Sequence, residues 1–347
     1  MRKIVFALLL LCLLAAPAAF AQEATPQPLW ELTQDVEIAA LGVHFNAPAG
    51  WAVESFSGFT VVAATAEAAQ EYADGQSVSD FALGIAGIPL QEMTDDPDTP
   101  LDEIFATTTV GLEVTESGET TVNLRPALYA VGVGNGQGAL VAIWKQDGFL
   151  MVFGMAVPAP EADVDMAFSY GMILGTVRPL VSDEITPAEE RYEVIDLGFD
   201  LFYPAGWTAA DAAEVLGVPG VMFYESAEDV GAPTPTDSAI AILNVESSLE
   251  DLGLEDDATM EDIANVIAGL FQVTEPELDD EFVVNGAPGI GFNGSANPTR
   301  VGFVIVTYDR ENEVVGIYTL STADEETLAL YRPAFLAMLW SIRPLEG

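Results

Sequence analysis

The sequence predicts an α+β protein with two similar domains, each a mostly antiparallel β-sheet flanked by helices. The tetrapeptide Pro-Ala-Gly-Trp occurs at 48–51 and again at 204–207, which indicates an internal duplication. Within each copy, several short strand-like segments and two helix-like segments follow one another. That succession, with hairpin-like connections, is typical of α+β folds with antiparallel sheets.

The duplication extends over most of the chain. Residues 42–51 match 198–207 without a gap, at an offset of 156. The offset is 159 between Leu101 and Met260, 162 between Pro126 and Pro288, and 165 between 177–180 and 342–345. Because loop insertions would make the offset grow in small steps while the landmarks stay in order, we infer one module of about 145 residues written twice.

A segment typical of a secretory leader precedes the first copy. Arg2 and Lys3 come before an apolar run, and Ala19-Phe20-Ala21 is a small-x-small cleavage site. We expect cleavage near Ala21 and a secreted or extracytoplasmic, cell-envelope location. The alternative is an uncleaved N-terminal anchor, although the run is short for a membrane span, which needs about 20 apolar residues.

The expected organisation has five parts. They are a signal peptide at 1–21, an N-terminal tail at 22–35, repeat 1 at 36–180, a polar linker at 181–192 and repeat 2 at 193–347. The mature chain has no cysteine, so disulfides are excluded and each repeat must bury a sufficient core by itself.

The first half of each repeat predicts three strands around a Pro-x-Gly turn. Residues 41–47 alternate before the turn, and apolar strands follow at 59–63 and 81–86, with counterparts at 221–224 and 239–243. Six residues are expected to be structural: Pro48, Gly50, Trp51, Pro204, Gly206 and Trp207. The proline and glycine make the turn, and the tryptophan enters the core. An aromatic ligand platform is the alternative, but turn chemistry explains these residues fully.

The second half of each repeat predicts a helix, three strands and a second helix. The helices are expected at 101–112 and 161–174, with counterparts at 260–271 and 324–339. The expected N-caps are Asp98 for the helix at 101–112 and Asp257 for its counterpart at 260–271. Thr99 and Thr259 are the alternative N-caps. The strands are expected at 121–130, 139–145 and 149–156, with counterparts at 281–292, 300–308 and 314–320. Residues 145–148 predict a hairpin turn.

The glycine-rich stretch 132–138 precedes no helix, so we interpret it as a flexible hairpin loop rather than a nucleotide-binding loop.

Each repeat resembles the PsbP-like fold. The resemblance lies in 202–207 and less fully in 45–51, in the helix after the hairpin strands, and in the last helix with its Arg ending, at 173–178 and 339–343. It implies an antiparallel sheet between helices in an exported bacterial protein. The family contains photosystem accessory subunits, a nuclear transport cofactor and bacterial envelope proteins, so it implies an adaptor or binding module. It transfers no functional residue to this chain.

The charge excludes some partners. The net charge is −45, and it becomes −47 once Arg2 and Lys3 are removed with the leader. Such a surface repels nucleic-acid phosphates and anionic lipid headgroups, so we expect neither partner. The acids either keep the protein soluble, which we favour, or bind cations.

Acidic clusters precede the first predicted helix of both repeats, and they are the candidate metal site. Their residues are Asp95, Asp96, Asp98, Asp256 and Asp257. Calcium takes six to eight oxygen ligands, often carboxylates, and it is the one cofactor that the sequence suggests. Neither cluster has the spaced Asp-x-Asp-x-Asp-Gly loop of an EF-hand, so helix capping and solvated charge are the favoured interpretation.

The residue types needed for catalysis are scarce. His44 is the single histidine, and no Gly-x-Ser-x-Gly motif or phosphate loop occurs. We interpret His44 as an ordinary strand residue. The sequence therefore predicts a secreted, non-catalytic tandem module that binds an unknown protein or envelope partner. The alternatives are a calcium-dependent binding or adhesion protein and a carboxylate-based hydrolase.

Overall fold

The computed structural model describes most of the chain from Pro28 onward. The described residues are 28–94, 96, 99–159, 164–232, 235–271, 273, 276, 278–295 and 299–345. The predicted signal peptide lies outside them. Within the described residues, no helix combines the length and apolarity that crossing a membrane would require.

The described residues of repeat 1 form ten strands, four α-helices and a 3-10 turn at Ala39–Leu41. The strands are β1 Leu32–Ile38, β2 Val43–Pro48, β3 Ala52–Phe56, β4 Phe59–Ala63, β5 Ala82–Pro89, β6 Glu113–Val122, β7 Arg125–Gly134, β8 Gln137–Gln146, β9 Phe149–Val157 and β10 Arg178–Pro179. The helices are α1 Ala66–Ala73, the single turn α2 Leu90–Met93, α3 Leu101–Thr108 and α4 Val164–Leu174.

Repeat 2 follows the same plan with fewer helices. Its strands are β11 Ala188–Val194, β12 Phe199–Pro204, β13 Thr208–Asp211, β14 Gly220–Tyr224, β15 Ala239–Glu246, β16 Leu278–Val284, β17 Ala287–Asn293, β18 Val301–Asp309, β19 Val314–Thr322 and β20 Arg343–Pro344. Its helices are α5 Ala212–Leu216, α6 Met260–Leu270 and α7 Glu325–Trp340.

The two repeats have the same sheet topology. Repeat 1 has a seven-stranded sheet in the order β3-β4-β5-β9-β8-β7-β6, and repeat 2 has one in the order β13-β14-β15-β19-β18-β17-β16. A small three-stranded sheet accompanies each, β1-β2-β10 and β11-β12-β20. All their paired strands are antiparallel. The prediction of an α+β protein with two similar, antiparallel domains is confirmed.

The repeated tetrapeptide lies between the small and the large sheet. Gly50 and Gly206 have φ of 79° and 83°, in the left-handed region that glycine adopts without strain. The chain reverses there, and the tryptophan N–H donates to the proline carbonyl, over 3.4 Å in repeat 1 and 3.2 Å in repeat 2. Both tryptophans are buried in the core that joins the two sheets. They are therefore not available as an exposed aromatic platform.

The predicted strands 121–130 and 281–292 are wrong as single strands, because each is a hairpin. The turn residues are Asn123-Leu124 and Asn285-Gly286, all with positive φ between 50° and 80°. Asn-Gly is the strongest two-residue hairpin signal, so the second turn was readable from the sequence. The first contains Leu124, which gives no such signal. Strand β6 was missed because Glu113, Glu116 and Glu119 replace the apolar alternation.

Three other boundaries differ from the prediction. Residues 188–192 of the expected linker lie in β11, which pairs with β12, and residues 32–35 of the expected tail lie in β1. The first helix of repeat 1 ends at Thr108 rather than 112. The stretch 132–138 is not a flexible loop, since only Asn135 and Gly136 form a tight turn between β7 and β8. Backbone pairing continues through its other residues.

The helix caps also need correction. Thr259, not Asp257, caps α6, and its hydroxyl and Asp262 form a reciprocal capping box. In repeat 1 the residue before α3 is Pro100, which offers no side-chain cap. Asp98 lies outside the described residues.

A hairpin of repeat 1 joins the two repeats. Leu124 belongs to the apolar core of repeat 2, and its carbonyl accepts a 2.7 Å hydrogen bond from the Val283 N–H. Next to it, Arg125 is buried, and its guanidinium lies 3.8 Å from the centre of the Phe282 ring. Arg125 also donates to the Glu281 carbonyl over 3.2 Å. These contacts fix the β6–β7 hairpin against the edge strand β16.

We expect Arg125→Met to destabilise the protein by about 2–3 kcal/mol, because it removes the cation–π contact and the 3.8 Å ion pair with Asp147 and leaves the Glu281 carbonyl without this donor. Urea unfolding followed by tryptophan fluorescence measures the change. The control is Arg310→Met, since the Arg310 guanidinium also donates to backbone carbonyls but lies exposed within repeat 2. Equal losses in the two variants would contradict a special role for the inter-repeat contact.

Candidate functional site

The outer faces of the two large sheets are covered differently. In repeat 2, α6 covers one continuous cluster that includes Ile263, Ile267, Phe292, Val304 and Val306. In repeat 1 the outer face carries two separate clusters. One lies under α1, and the other lies under α2 and α3. The space between them is a cleft, called here the repeat-1 cleft.

The repeat-1 cleft has a volume of about 330 Å³. That volume is at the lower end of ligand pockets, which are commonly about 300–1,000 Å³. Its floor is the sheet, and its walls come from α1, from the end of α3 and from the β7–β8 turn. The lining includes Tyr72, Gln76, Thr108, Thr109, Leu112, Asn135, Gln137, Val141, Val152 and Gly154.

Tyr72 forms one wall because glycines make room for it. The Thr65 hydroxyl caps α1 by accepting from the Ala68 N–H over 3.1 Å, and the helix then carries Tyr72 across the sheet. The tyrosine hydroxyl donates to the Gly154 carbonyl over 3.2 Å. A Cβ at Gly84 would stand only 2.5 Å from Cε1 of the ring. Burial raises the pKa of Tyr72 to about 12, so the hydroxyl remains protonated at neutral pH.

Repeat 2 does not reproduce this arrangement. By strand register, the counterparts of Gly84 and Gly154 are Ala241 and Thr319, which face each other across β15 and β19. In place of α1, repeat 2 has a single 3-10 turn, Ala227–Asp229. Glycines inside strands often mark the close approach of another group, so Gly84 and Gly154 were a readable signal of the repeat-1 cleft.

The polar groups of the cleft are already oriented by bonds within the protein. The Thr108 and Thr109 hydroxyls donate to the Ile104 and Phe105 carbonyls over 3.0 and 2.8 Å. The Gln137 Oε1 accepts a hydrogen bond from the Val78 N–H over 2.9 Å, and this bond fixes the orientation of the Gln137 side-chain amide. A hydroxyl oxygen that donates can still accept, and an amide nitrogen carries two donors, so both kinds of group can meet a ligand.

The cleft is uncharged. Among the described residues that line it, none is Asp, Glu, His, Lys, Arg or Cys. Its hydroxyls act as donors to backbone carbonyls, and none of the lining residues is a base that could activate them. The arrangement can hold a neutral molecule by hydrogen bonds and apolar contact, but it lacks the groups of a general acid–base or nucleophilic site.

The predicted metal residues that the structure describes, Asp96, Asp256 and Asp257, do not line this cleft. Asp256 and Asp257 are exposed before α6, and the Asp256 carbonyl accepts from Arg310 over 3.0 Å. The Asp96 carbonyl accepts from the Thr99 N–H and hydroxyl, whereas Asp95 and Asp98 lie outside the described residues. Within the described part of the chain, no group of three or more His, Cys, Asp or Glu side chains could hold a metal ion.

His44 lies in a polar cluster on the small sheet of repeat 1. Its Nε2 accepts from the Arg178 Nε over 2.9 Å, so its Nδ1 carries the proton and faces the Asp35 carboxylate at 3.3 Å. In repeat 2 the acid lies on the other strand of this pair, where Asp200 on β12 binds Arg191 on β11. The cluster joins strands in both repeats, and its geometry gives His44 a structural role.

Comparison with known proteins gives limited similarity. No protein-family model and no curated protein matches the chain. The Ran-binding protein Mog1p of Saccharomyces cerevisiae aligns at 14% identity over 43% of this chain and 97% of that one, with a TM-score of 0.31. A putative thioesterase II from Thermobifida fusca aligns at 10% identity over 70% and 93%, with a TM-score of 0.13. Similarities this low carry no argument about function.

We expect Gly84→Ala to destabilise the protein by about 1–3 kcal/mol, because the new methyl group must displace the Tyr72 ring. Thermal and urea unfolding measure the loss. The control is Gly171→Ala on the exposed side of α4, where a Cβ meets nothing within 4 Å and should be neutral or slightly stabilising. In a Tyr72→Ala variant, the additional Gly84→Ala substitution should no longer destabilise the protein. If the loss of stability persists without the Tyr72 ring, that ring is not the group for which Gly84 makes room.

Proposed function

We propose that the protein is a secreted, non-catalytic tandem binding module that supports an extracellular or cell-envelope assembly, with the repeat-1 cleft as its binding site. The observation that carries the proposal is the cleft itself, which has an apolar floor, an oriented polar rim and no ionisable side chain apart from Tyr72. The single leader predicted at residues 1–21 supports the location. The layered sheet and helices of each repeat are compatible with a PsbP-like module.

The expected ligand is neutral. The hydroxyls of Thr108 and Thr109 and the amides of Gln76, Asn135 and Gln137 suit a molecule that both donates and accepts hydrogen bonds. Leu112, Val141 and Val152 suit an apolar part of the same molecule. An anion would meet the field of a strongly negative protein, and a cation would find no carboxylate in the cleft. Uncharged oligosaccharides and uncharged peptide segments satisfy these requirements.

We expect Thr108→Arg to weaken binding of such a ligand about tenfold or more, because it places a long charged side chain at the wall of the cleft. The measurement is binding of the mature protein to arrays of neutral oligosaccharides and uncharged peptides, followed by titration of the best probe. Thr107→Arg is the matched control. Thr107 makes the same hydroxyl bond to the carbonyl four residues earlier, but it is exposed and does not line the cleft.

Two outcomes would contradict this proposal. Equal weakening by the Thr107 and Thr108 substitutions would remove the binding site from the cleft. Conversion of a bound probe to a product by the wild-type protein would contradict the non-catalytic assignment.

A calcium-dependent binding or adhesion protein is the second candidate, favoured by the exposed Asp256 and Asp257 and by the high negative charge. If calcium binds the folded state, millimolar calcium should raise the melting temperature more than sodium at matched ionic strength. The increment should disappear when Asp95, Asp96, Asp98, Asp256 and Asp257 are replaced by Asn. Equal increments with both salts would indicate general screening of charge and would exclude this candidate.

A further inference from the structure

The floor of the repeat-1 cleft offers no hydrogen-bonding side chain. The residues of β8 and β9 that form it are Ala139, Val141, Val152, Gly154 and Ala156. These two strands pair with each other and with β7 and β5, so their backbone N–H and C=O groups are engaged within the sheet. A polar ligand group pressed onto this floor would lose its water without gaining a hydrogen bond, which costs free energy.

The hydrogen-bonding side chains of the cleft lie on its walls. Thr108 and Thr109 belong to the end of α3, Gln76 follows α1, and Asn135 and Gln137 lie at the β7–β8 turn. Hydroxyl and amide groups can both donate and accept. A ligand therefore fits when its apolar part points towards the floor and its donors and acceptors point sideways.

An extended peptide separates its groups in this way. Its successive side chains point to opposite faces, and each residue between them carries one N–H donor and one C=O acceptor. One apolar side chain can lie on the floor while the neighbouring peptide groups meet the walls. A sugar ring would instead stack on a flat aromatic face. Tyr72 is the one aromatic residue among the described lining residues, and its ring packs against Gly84.

Carboxylates border the cleft on two walls. Asp74 precedes Gly75 at the end of α1, Glu113 follows Leu112 at the start of β6, and both acids are exposed. Consecutive Cα atoms are about 3.8 Å apart, so each acid lies within about one Debye length of a lining residue. The ends of a ligand that leave the cleft on these sides meet negative charge, in a protein whose net charge is −45.

We propose that the repeat-1 cleft binds an extended peptide segment that has one apolar side chain at its centre and Lys or Arg residues on both sides of it. The apolar side chain lies on the floor, and the cations lie outside the cleft near Asp74 and Glu113. A cavity of about 150 Å³ holds a benzene molecule, so about 330 Å³ accommodates one large apolar side chain with its peptide groups. This inference rests on the function proposed for the cleft and specifies its partner.

The test uses capped pentapeptides and neutral oligosaccharides of glucose and of N-acetylglucosamine. The peptides are Lys-Ser-Leu-Ser-Lys, Ser-Ser-Leu-Ser-Ser and Lys-Ser-Ser-Ser-Lys, each titrated into the protein by NMR at low salt. We expect the first peptide to bind about three- to tenfold more tightly than the second, the effect of two exposed ion pairs. It should bind about tenfold or more tightly than the third, which lacks the apolar side chain. The advantage over the second peptide should shrink in about 0.5 M NaCl.

The failure of this inference and that of the proposed function give different results. Oligosaccharide binding that Thr108→Arg abolishes and Thr107→Arg leaves, with no peptide binding, would overturn the peptide assignment and leave the cleft as the binding site. Equal binding of the peptides with and without leucine would reduce the attraction to general charge and would also overturn it. If no peptide and no oligosaccharide bound, both the inference and the function proposed for the cleft would fall.

Two matched double variants locate the charge effect. Asp74→Asn with Glu113→Gln should remove most of the advantage of Lys-Ser-Leu-Ser-Lys over Ser-Ser-Leu-Ser-Ser. Asp196→Asn with Glu250→Gln changes the net charge equally, at exposed residues of repeat 2, and should keep the advantage. Equal losses in the two double variants would mean that the whole protein's charge attracts the peptide, and would overturn the role of the two bordering carboxylates.

Discussion

The buried guanidinium of Arg125 is the contact on which the arrangement of the two repeats depends. A buried charge is costly unless other groups compensate for the lost water. Here the Phe282 ring, the Glu281 carbonyl and the Asp147 carboxylate, 3.8 Å from a guanidinium nitrogen, contribute to that compensation. The adjacent Leu124 completes the core of repeat 2. Because both residues belong to one hairpin, their contacts together cover the edge strand β16.

The repeats share a scaffold but have diverged on the surfaces that could carry function. The tetrapeptide turn, the seven-stranded sheet and the small sheet recur, since each repeat needs the same core. The outer face does not recur. Tyr72 and its strand glycines open a cleft in repeat 1, whereas α6 and its apolar cluster close the corresponding face in repeat 2. The polar pair of the small sheet shows the same divergence, since Asp35 faces His44 in repeat 1 whereas Arg191 binds Asp200 at the corresponding positions of repeat 2.

The sequence predicted elements well where burial imposes a pattern and poorly where it does not. Strands 59–63 and 149–156 are apolar because both faces are covered, and they were read within a residue or two of their bounds. Edge strand β6 was missed because its glutamates protect an exposed edge and remove the alternation. The Asn123-Leu124 turn was missed because Leu124 adopts positive φ only through its contacts in the core of repeat 2.

The sequence by itself determined the duplication, the α+β class and the strongly acidic character of the chain, because repeat offsets, periodicity and charge can be read from the order of residues without knowing their contacts. It also indicated a secretory leader. The tertiary structure decided where polar groups meet. Tyr72 and Thr108 line one cleft although they are distant in the sequence, and the amide of Asn123 is oriented by Trp144 through Gln146. Such juxtapositions arise from strand order and from the docking of one repeat on the other, which no single segment encodes.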